Sequence, residues 1–354
     1  MKSRFGLLFP LLGYFCFFAL AVLLCPHGAA HAATSGTHTG ALKLIGIGGL
    51  IVNASTISNI FINLKTTFNR CFDATPTTWQ KIAMLVPSGT KTNDYKWLAN
   101  FPRMKKWFGE KTVKALAAFN YTITNDDFEA TVEVDRNDIE DDQLGIYAPQ
   151  AEMAGFSAKQ LPDEIIYELA NNVFVNKCFD GQYMCDVDHP VTDKNGVVQS
   201  VSNKGIAVLS AATQAAAIAS LGAARTAMKK FTDDEGRPLN IKPDTLLVPP
   251  ALEDIANVLM TNDRLEDGKP NPYKGTMTVL CDARLTSDTA WFLLDTSKPV
   301  KPFIYQERKK PIFVQQIDPQ AEDVFMRKKF KFGAEARAAG GYGFWQLIYG
   351  STGA

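Results

Sequence analysis

Histidine is nearly absent from the body of this chain. Of four in 354 residues, His27, His31 and His38 lie near the start and only His189 follows. That excludes most multi-histidine zinc and iron sites. Cysteine is also sparse. Cys16 and Cys25 sit in the first thirty residues, and Cys71, Cys178, Cys185 and Cys281 are scattered, which makes no disulfide framework. Free thiols are expected, with a Cys178–Cys185 bridge as the alternative. Cys178, Cys185 and His189 could supply part of a zinc site, but no fourth ligand is evident, so no metal is expected.

Charge of one sign is lacking too, since 37 basic residues face 37 acidic ones. The first fifty residues carry Lys2, Arg4 and Lys43 but no acid, so beyond them 34 basic residues face 37 acids, a net near −3. A DNA-reading domain would show a basic face. Nucleophile and phosphate motifs are missing as well. Gly350-Ser351-Thr352-Gly353 is a tail and not a nucleophile elbow, and Ser88-Gly89-Thr90-Lys91-Thr92 lacks the glycine that a phosphate loop needs before its lysine. No glycine-rich dinucleotide fingerprint follows a predicted strand. No enzyme and no cofactor are expected, and no catalytic residue is assigned.

What is present begins with a hydrophobic leader. Residues 1–33 have the parts of an export signal: Lys2 and Arg4, an apolar run from Leu7 to Leu24, and the small-x-small site Ala30-His31-Ala32. Residues 34–50 read as a linker. From Ser55, a candidate N-cap, Ile57, Ile60, Phe61, Leu64 and Phe68 recur at helical spacing. A strand is expected at Ile82–Val86.

Residues 91–114 then hold seven basic residues against two acids, a net of +5, with Trp97, Phe101, Trp107 and Phe108 interleaved. Such composition can bind single-stranded nucleic acid; the blander reading is a loop that packs on another protein surface. Trp97, Phe101, Arg103, Lys105, Lys106 and Trp107 are its candidate contact residues. The sign reverses at 126–142, with nine acids, one base and no calcium-loop spacing. Phe128, Ala130, Val132 and Val134 alternate there, as in a half-buried strand.

A helix is expected from about Pro149 to Val175, kinked or restarted at Pro162. Ser210 reads as the cap of an alanine-rich helix reaching Lys230. Leu246–Val248 reads as a short strand, and Pro249-Pro250 lead a helix to Met260. Strands are then expected at Met277–Cys281, Trp291–Leu294, Phe303–Gln306, Ile312–Ile317, Val324–Ala336 and Phe344–Tyr349. Long helices and late strands without βαβ alternation predict an α+β fold.

Several stretches resemble the Mu-like phage major head subunit family. They are Tyr95-Lys96-Trp97-Leu98-Ala99-Asn100-Phe101-Pro102, Phe128 to Tyr147, Pro162-Asp163-Glu164-Ile165-Ile166, and Cys178-Phe179-Asp180-Gly181-Gln182 leading to His189-Pro190. Gly236-Arg237-Pro238-Leu239, Lys242 to Pro249 and the Phe330–Tyr349 stretch complete them. The resemblance covers 51–354 and implies a Hong Kong 97-type capsid fold. Its parts would be an N-arm at 51–80, an extended loop at 85–122 and a peripheral domain at 123–177 with a spine helix at about 149–176. An axial domain at 178–310 and return strands of the peripheral domain at 311–354 would follow.

The implied function is a structural head protein that assembles with itself, as pentamers and hexamers, into an icosahedral shell around phage DNA. The implied partners are a scaffold or protease, a portal and head-completion proteins, with packaged double-stranded DNA held without sequence reading. Such assembly takes place in the bacterial cytoplasm, so the leader conflicts with it; residues 1–50 are expected to be a gene-start misassignment, with Leu50 a candidate start. Two other readings are an encapsulin-like compartment shell and, taking the leader at face value, a secreted enzyme or binding protein.

Overall fold

The computed structural model describes residues 53–99, 121–141, 144–193, 195–233, 236–318 and 320–354. Helix α1, Ala54–Ala74, buries Ile57, Phe61, Leu64 and Phe68, the stripe its spacing predicts. Its cap is Asn53 and not Ser55, with the Asn53 side chain accepting from the Thr56 amide at 2.8 Å. After the short α2, Arg136–Glu140, α3 runs from Ala148 to Asn171 as one helix with Pro162 inside it. It stops short of the expected 176, where the Asn172 amide is shared between the Glu168 and Leu169 carbonyls. Helices α1 and α3 approach closely at Gly155, where a β-carbon would come within 2.5 Å of the Phe68 carbonyl oxygen. Arg70 and Glu152 pair across the same contact at 2.7 Å.

These helices cover a four-stranded sheet of β1 (Ala83–Pro87), β11 (Phe303–Gln316), β12 (Lys329–Tyr342) and β4 (Asp126–Asp135), in that order. β1 runs parallel to β11 and the other pairs are antiparallel. Phe61 of α1 meets Phe330 and Phe332 edge-on, at 6.3 and 6.2 Å between ring centres. Gly340 of β12 makes room for α3, because a β-carbon there would lie 2.6 Å from Leu169 and 2.7 Å from Ile165.

The two strands expected at 303–306 and 312–317 are one. Its register shifts between Glu307 and Ile312, on either side of Lys309, and Pro311, which has no N–H to give, lies in that stretch. Part of the strand expected at Val324–Ala336 is instead helix α7, Glu322–Arg327, which ends at Lys328 with φ 58° before β12 starts.

The second sheet has five strands in the order β7 (Lys204–Gly205), β13 (Ile348–Ser351), β10 (Trp291–Leu294), β8 (Thr245–Val248) and β9 (Thr278–Cys281). β8 and β10 are buried throughout and apolar apart from Thr245, as strands covered on both faces are. Around them pack α4 (Gln214–Ala217), a π turn at Ile218–Gly222, α5 (Ala223–Lys230) and α6 (Glu253–Thr261). The cap of this helical run is Thr213 and not Ser210, its side chain accepting from the Ala216 amide at 3.1 Å.

Two small hairpins complete the fold, β2 (Thr92–Asp94) with β3 (Thr122–Thr124), and β5 (His189–Thr192) with β6 (Val198–Val201). The division at residue 310 between axial and returning segments does not follow the sheets. β11 enters the four-stranded sheet at Phe303, and the final strand β13 pairs with β10 in the five-stranded one. The expected strand at Phe344–Tyr349 is a 3-10 turn at Trp345–Leu347 followed by β13. Among the described residues no helix is long and apolar enough to cross a membrane.

Candidate functional site

The stems of the aromatic-basic segment are tied to the four-stranded sheet by buried side chains. Gln306 of β11 accepts from the Tyr95 hydroxyl at 2.7 Å and donates to Asn125 Oδ1 at 2.7 Å. Asn125 Nδ2 in turn donates to the Ser88 hydroxyl at 3.0 Å and the Thr90 carbonyl at 2.9 Å. Residues 88–95 on one stem and 122–125 on the other thus meet on one glutamine. Burial pushes the Tyr95 phenol up to about 12, so it remains a donor at ordinary pH.

Of the candidate contact residues, Trp97 is placed beside this base. Its ring meets Phe344 edge-on at 6.1 Å and Tyr95 at 6.1 Å, yet it stays 37% exposed. Phe101, Arg103, Lys105, Lys106 and Trp107 lie outside the described residues.

The acidic stretch is not a bare negative face. Glu133 pairs with Lys329 at 2.8 Å and Asp127 with Arg337 at 2.5 Å, both across the β4–β12 ladder. The bond from Lys329 holds the Glu133 carboxyl below its ordinary value. Asp135 caps α2, Asp138 accepts from the Tyr147 hydroxyl, and Glu140 pairs with Arg136 at 3.0 Å. The three ion pairs are solvent-exposed, and such pairs contribute little to stability. β4 nonetheless stands at the edge of its sheet, with its outer hydrogen-bonding side turned away from β12.

His189 lies elsewhere, wholly buried at the start of β5. Nδ1 is 2.7 Å from Asp180 Oδ2, Nε2 is 3.1 Å from Asn203 Oδ1, and the ring stacks on Trp345 at 4.1 Å with 9° between planes. Cys178 Sγ lies 3.0 Å from Asp180 Oδ1. The grouping weighed from sequence included Cys185; Asp180 occupies that place instead. Cys178 and Cys185 are free thiols, not a bridge, and burial pushes both of them up. With each polar atom taken up by a hydrogen bond, the cluster serves to close the fold. Asp180 and His189 stand in one stretch of the family resemblance, but Asn203 and Trp345 escaped the sequence reading because only folding brings positions 180, 189, 203 and 345 together.

This fold, a helix-backed four-stranded sheet beside a second, five-stranded sheet, is that of phage capsid subunits of the Hong Kong 97 type. Solved structures agree. The procapsid subunit of bacteriophage JBD30 matches at 30% identity, over 85% of this chain and 76% of that one, with a TM-score of 0.54. The JBD30 capsid matches at 27% identity, over 67% and 100%, with a TM-score of 0.51.

The chain belongs to the family of the Mu-like prophage major head subunit gpT, whose model matches residues 57–212, 206–285 and 281–354. The major capsid protein of Escherichia phage Mu is 30% identical over 298 residues, 84% of this chain and 74% of its own length. The Mu-like prophage FluMu major head subunit of Haemophilus influenzae is 29% identical over 304 residues, 85% and 75%. These relatives are structural proteins, and the family favours a phage head shell over a compartment shell or a secreted protein.

Proposed function

We propose that this subunit builds an icosahedral head shell around double-stranded DNA, and that residues 97–107 lie across a neighbouring copy. Assembly takes place in the host cytoplasm, as pentamers and hexamers, with a scaffold or protease, a portal and head-completion proteins as partners. The protein turns over no substrate and binds DNA without reading its sequence.

One observation carries the loop assignment. Both stems are fixed to β11 through Gln306, and Trp97 beside them keeps over a third of its surface in solvent. An aromatic held in place but left exposed has the character of an interface anchor. Lys105 and Lys106 would steer the approach, since charges act more on encounter than on final affinity. An acidic sheet edge such as β4, whose Asp126 and Glu129 have no intrachain ion pair among the described residues, offers a complementary surface.

The test is the double reversal Lys105→Glu with Lys106→Glu, followed by electron microscopy and light scattering of assembly. Slower or abolished shell formation with an unchanged monomer melt is expected. Salt near 1 M, where the screening length is roughly 3 Å, should slow the wild type in the same sense. Assembly of the variant at the wild-type rate in low salt would reject the loop assignment.

A further inference from the structure

The hydrogen-bond partners of His189 fix where its protons are. Asn203 has one possible orientation. Its Nδ2 donates to the carbonyls of Met184, Trp345 and Ile348 at 2.8, 3.1 and 3.2 Å, and its Oδ1 accepts from the Asp186 amide at 2.8 Å. His189 Nε2, 3.1 Å from that same oxygen, must therefore donate. Nδ1 then faces Asp180 Oδ2 at 2.7 Å. A neutral ring with its proton on Nε2 would aim a lone pair at a carboxylate oxygen there.

Only Oδ2 of Asp180 faces this gap. Its Oδ1 already accepts from the Gln182 amide at 3.1 Å and the Cys178 thiol at 3.0 Å. Burial disfavours the carboxylate, but the bond and charge of His189 outweigh it and hold Asp180 below the usual range. We infer that the cluster encloses a structural proton between His189 Nδ1 and Asp180 Oδ2, and that this proton latches the 178–189 loop to the start of β13.

The site suits a cation. The stacked Trp345 ring presents its π face to the imidazole, and the 2.7 and 3.0 Å spans are those of hydrogen bonds. The titratable groups that face it are Asp180 and Cys178, and beyond Cys178 the hydroxyls of Tyr121 and Tyr342, both pushed up by burial. Asp186 turns its carboxylate back to the Tyr183 and Val187 amides. Through Asn203 the latch joins the 178–189 loop to Trp345 and Ile348, where β13 begins.

The sign on the acid side follows from linkage. The lowered Asp180 contributes stability that is present above the ordinary carboxylate value and lost as pH falls through its own.

The test is the nitrogen-15 spectrum of the imidazoles in the full chain, for wild type and Asp180→Asn, with His189→Gln to identify the signal. Both ring nitrogens of His189 should carry a proton in the wild type. The asparagine can donate its amide to a bare Nδ1, so in the variant His189 should carry a proton on Nε2 alone. A bare Nδ1 in the wild type, two protonated ring nitrogens in Asp180→Asn, or stoichiometric zinc in the purified protein would overturn the proposal. Should Asp180→Asn fail to fold, the wild-type spectrum decides alone.

Discussion

Gln306 shows how much can rest on one side chain. It is wholly buried, and through Tyr95 and Asn125 it joins stems that are about 200 residues away in sequence. Gln306→Leu keeps the volume but leaves the Tyr95 hydroxyl and the Asn125 carbonyl oxygen without this partner. Buried polar groups left unpaired cost about 1–3 kcal/mol each, so a loss in that range is expected in urea unfolding. Faster amide exchange at residues 92–94 and 122–124 should accompany it. Nothing in the sequence marks this glutamine, which ends an apolar run like any strand residue. His189 could be singled out as the one histidine of the chain's body, and Asp180 stands with it in one family stretch, but Asn203 and Trp345 could not be found as partners, because buried polar pairing depends on tertiary neighbours and leaves no periodic trace.

At the scale of elements, legibility followed burial. β10 occupies the residues its apolar run indicates, and the α1 stripe is the predicted one, since a face packed against a core constrains residue type at fixed intervals. The reading failed where ends and irregularities decide. Val324, Phe325 and Met326 look like strand, yet Glu322 and Asp323 sit in the first turn of α7, favourable for a helix start. Arg327 returns to Asp323 at 3.6 Å. The helix then stops because Lys328 turns left-handed, φ 58°, which strains a residue with a β-carbon by roughly 1–2 kcal/mol. Lys328→Gly relieves that strain while freeing the unfolded chain, so a net gain of under about 1 kcal/mol is expected. A higher urea midpoint with an unchanged slope would show it; a lower midpoint would mean that the Lys328 side chain stabilises this turn.

For the whole molecule, the question is whether the leader contributes to the body that carries the family resemblance. The match to the family begins at residue 57, and the buried stripe of α1 begins at the same residue. From there the core closes on itself. Phe61 packs on Phe330 and Phe332, α3 lies against Gly340, and β13 seals the five-stranded sheet beside His189. The first two of these contacts join an early segment to a late one, so the body should unfold as a cooperative unit. The hydrophobic run Leu7–Leu24 precedes that body in the sequence. Apolar runs that a fold leaves exposed promote association rather than folding. A fragment of residues 51–354 is therefore expected to melt cooperatively, at a temperature within a few degrees of the full chain, and to remain in solution at higher concentration. Calorimetry of the two, side by side, checks this, and loss of the cooperative transition in the fragment would show that residues 1–50 belong to the folded body after all.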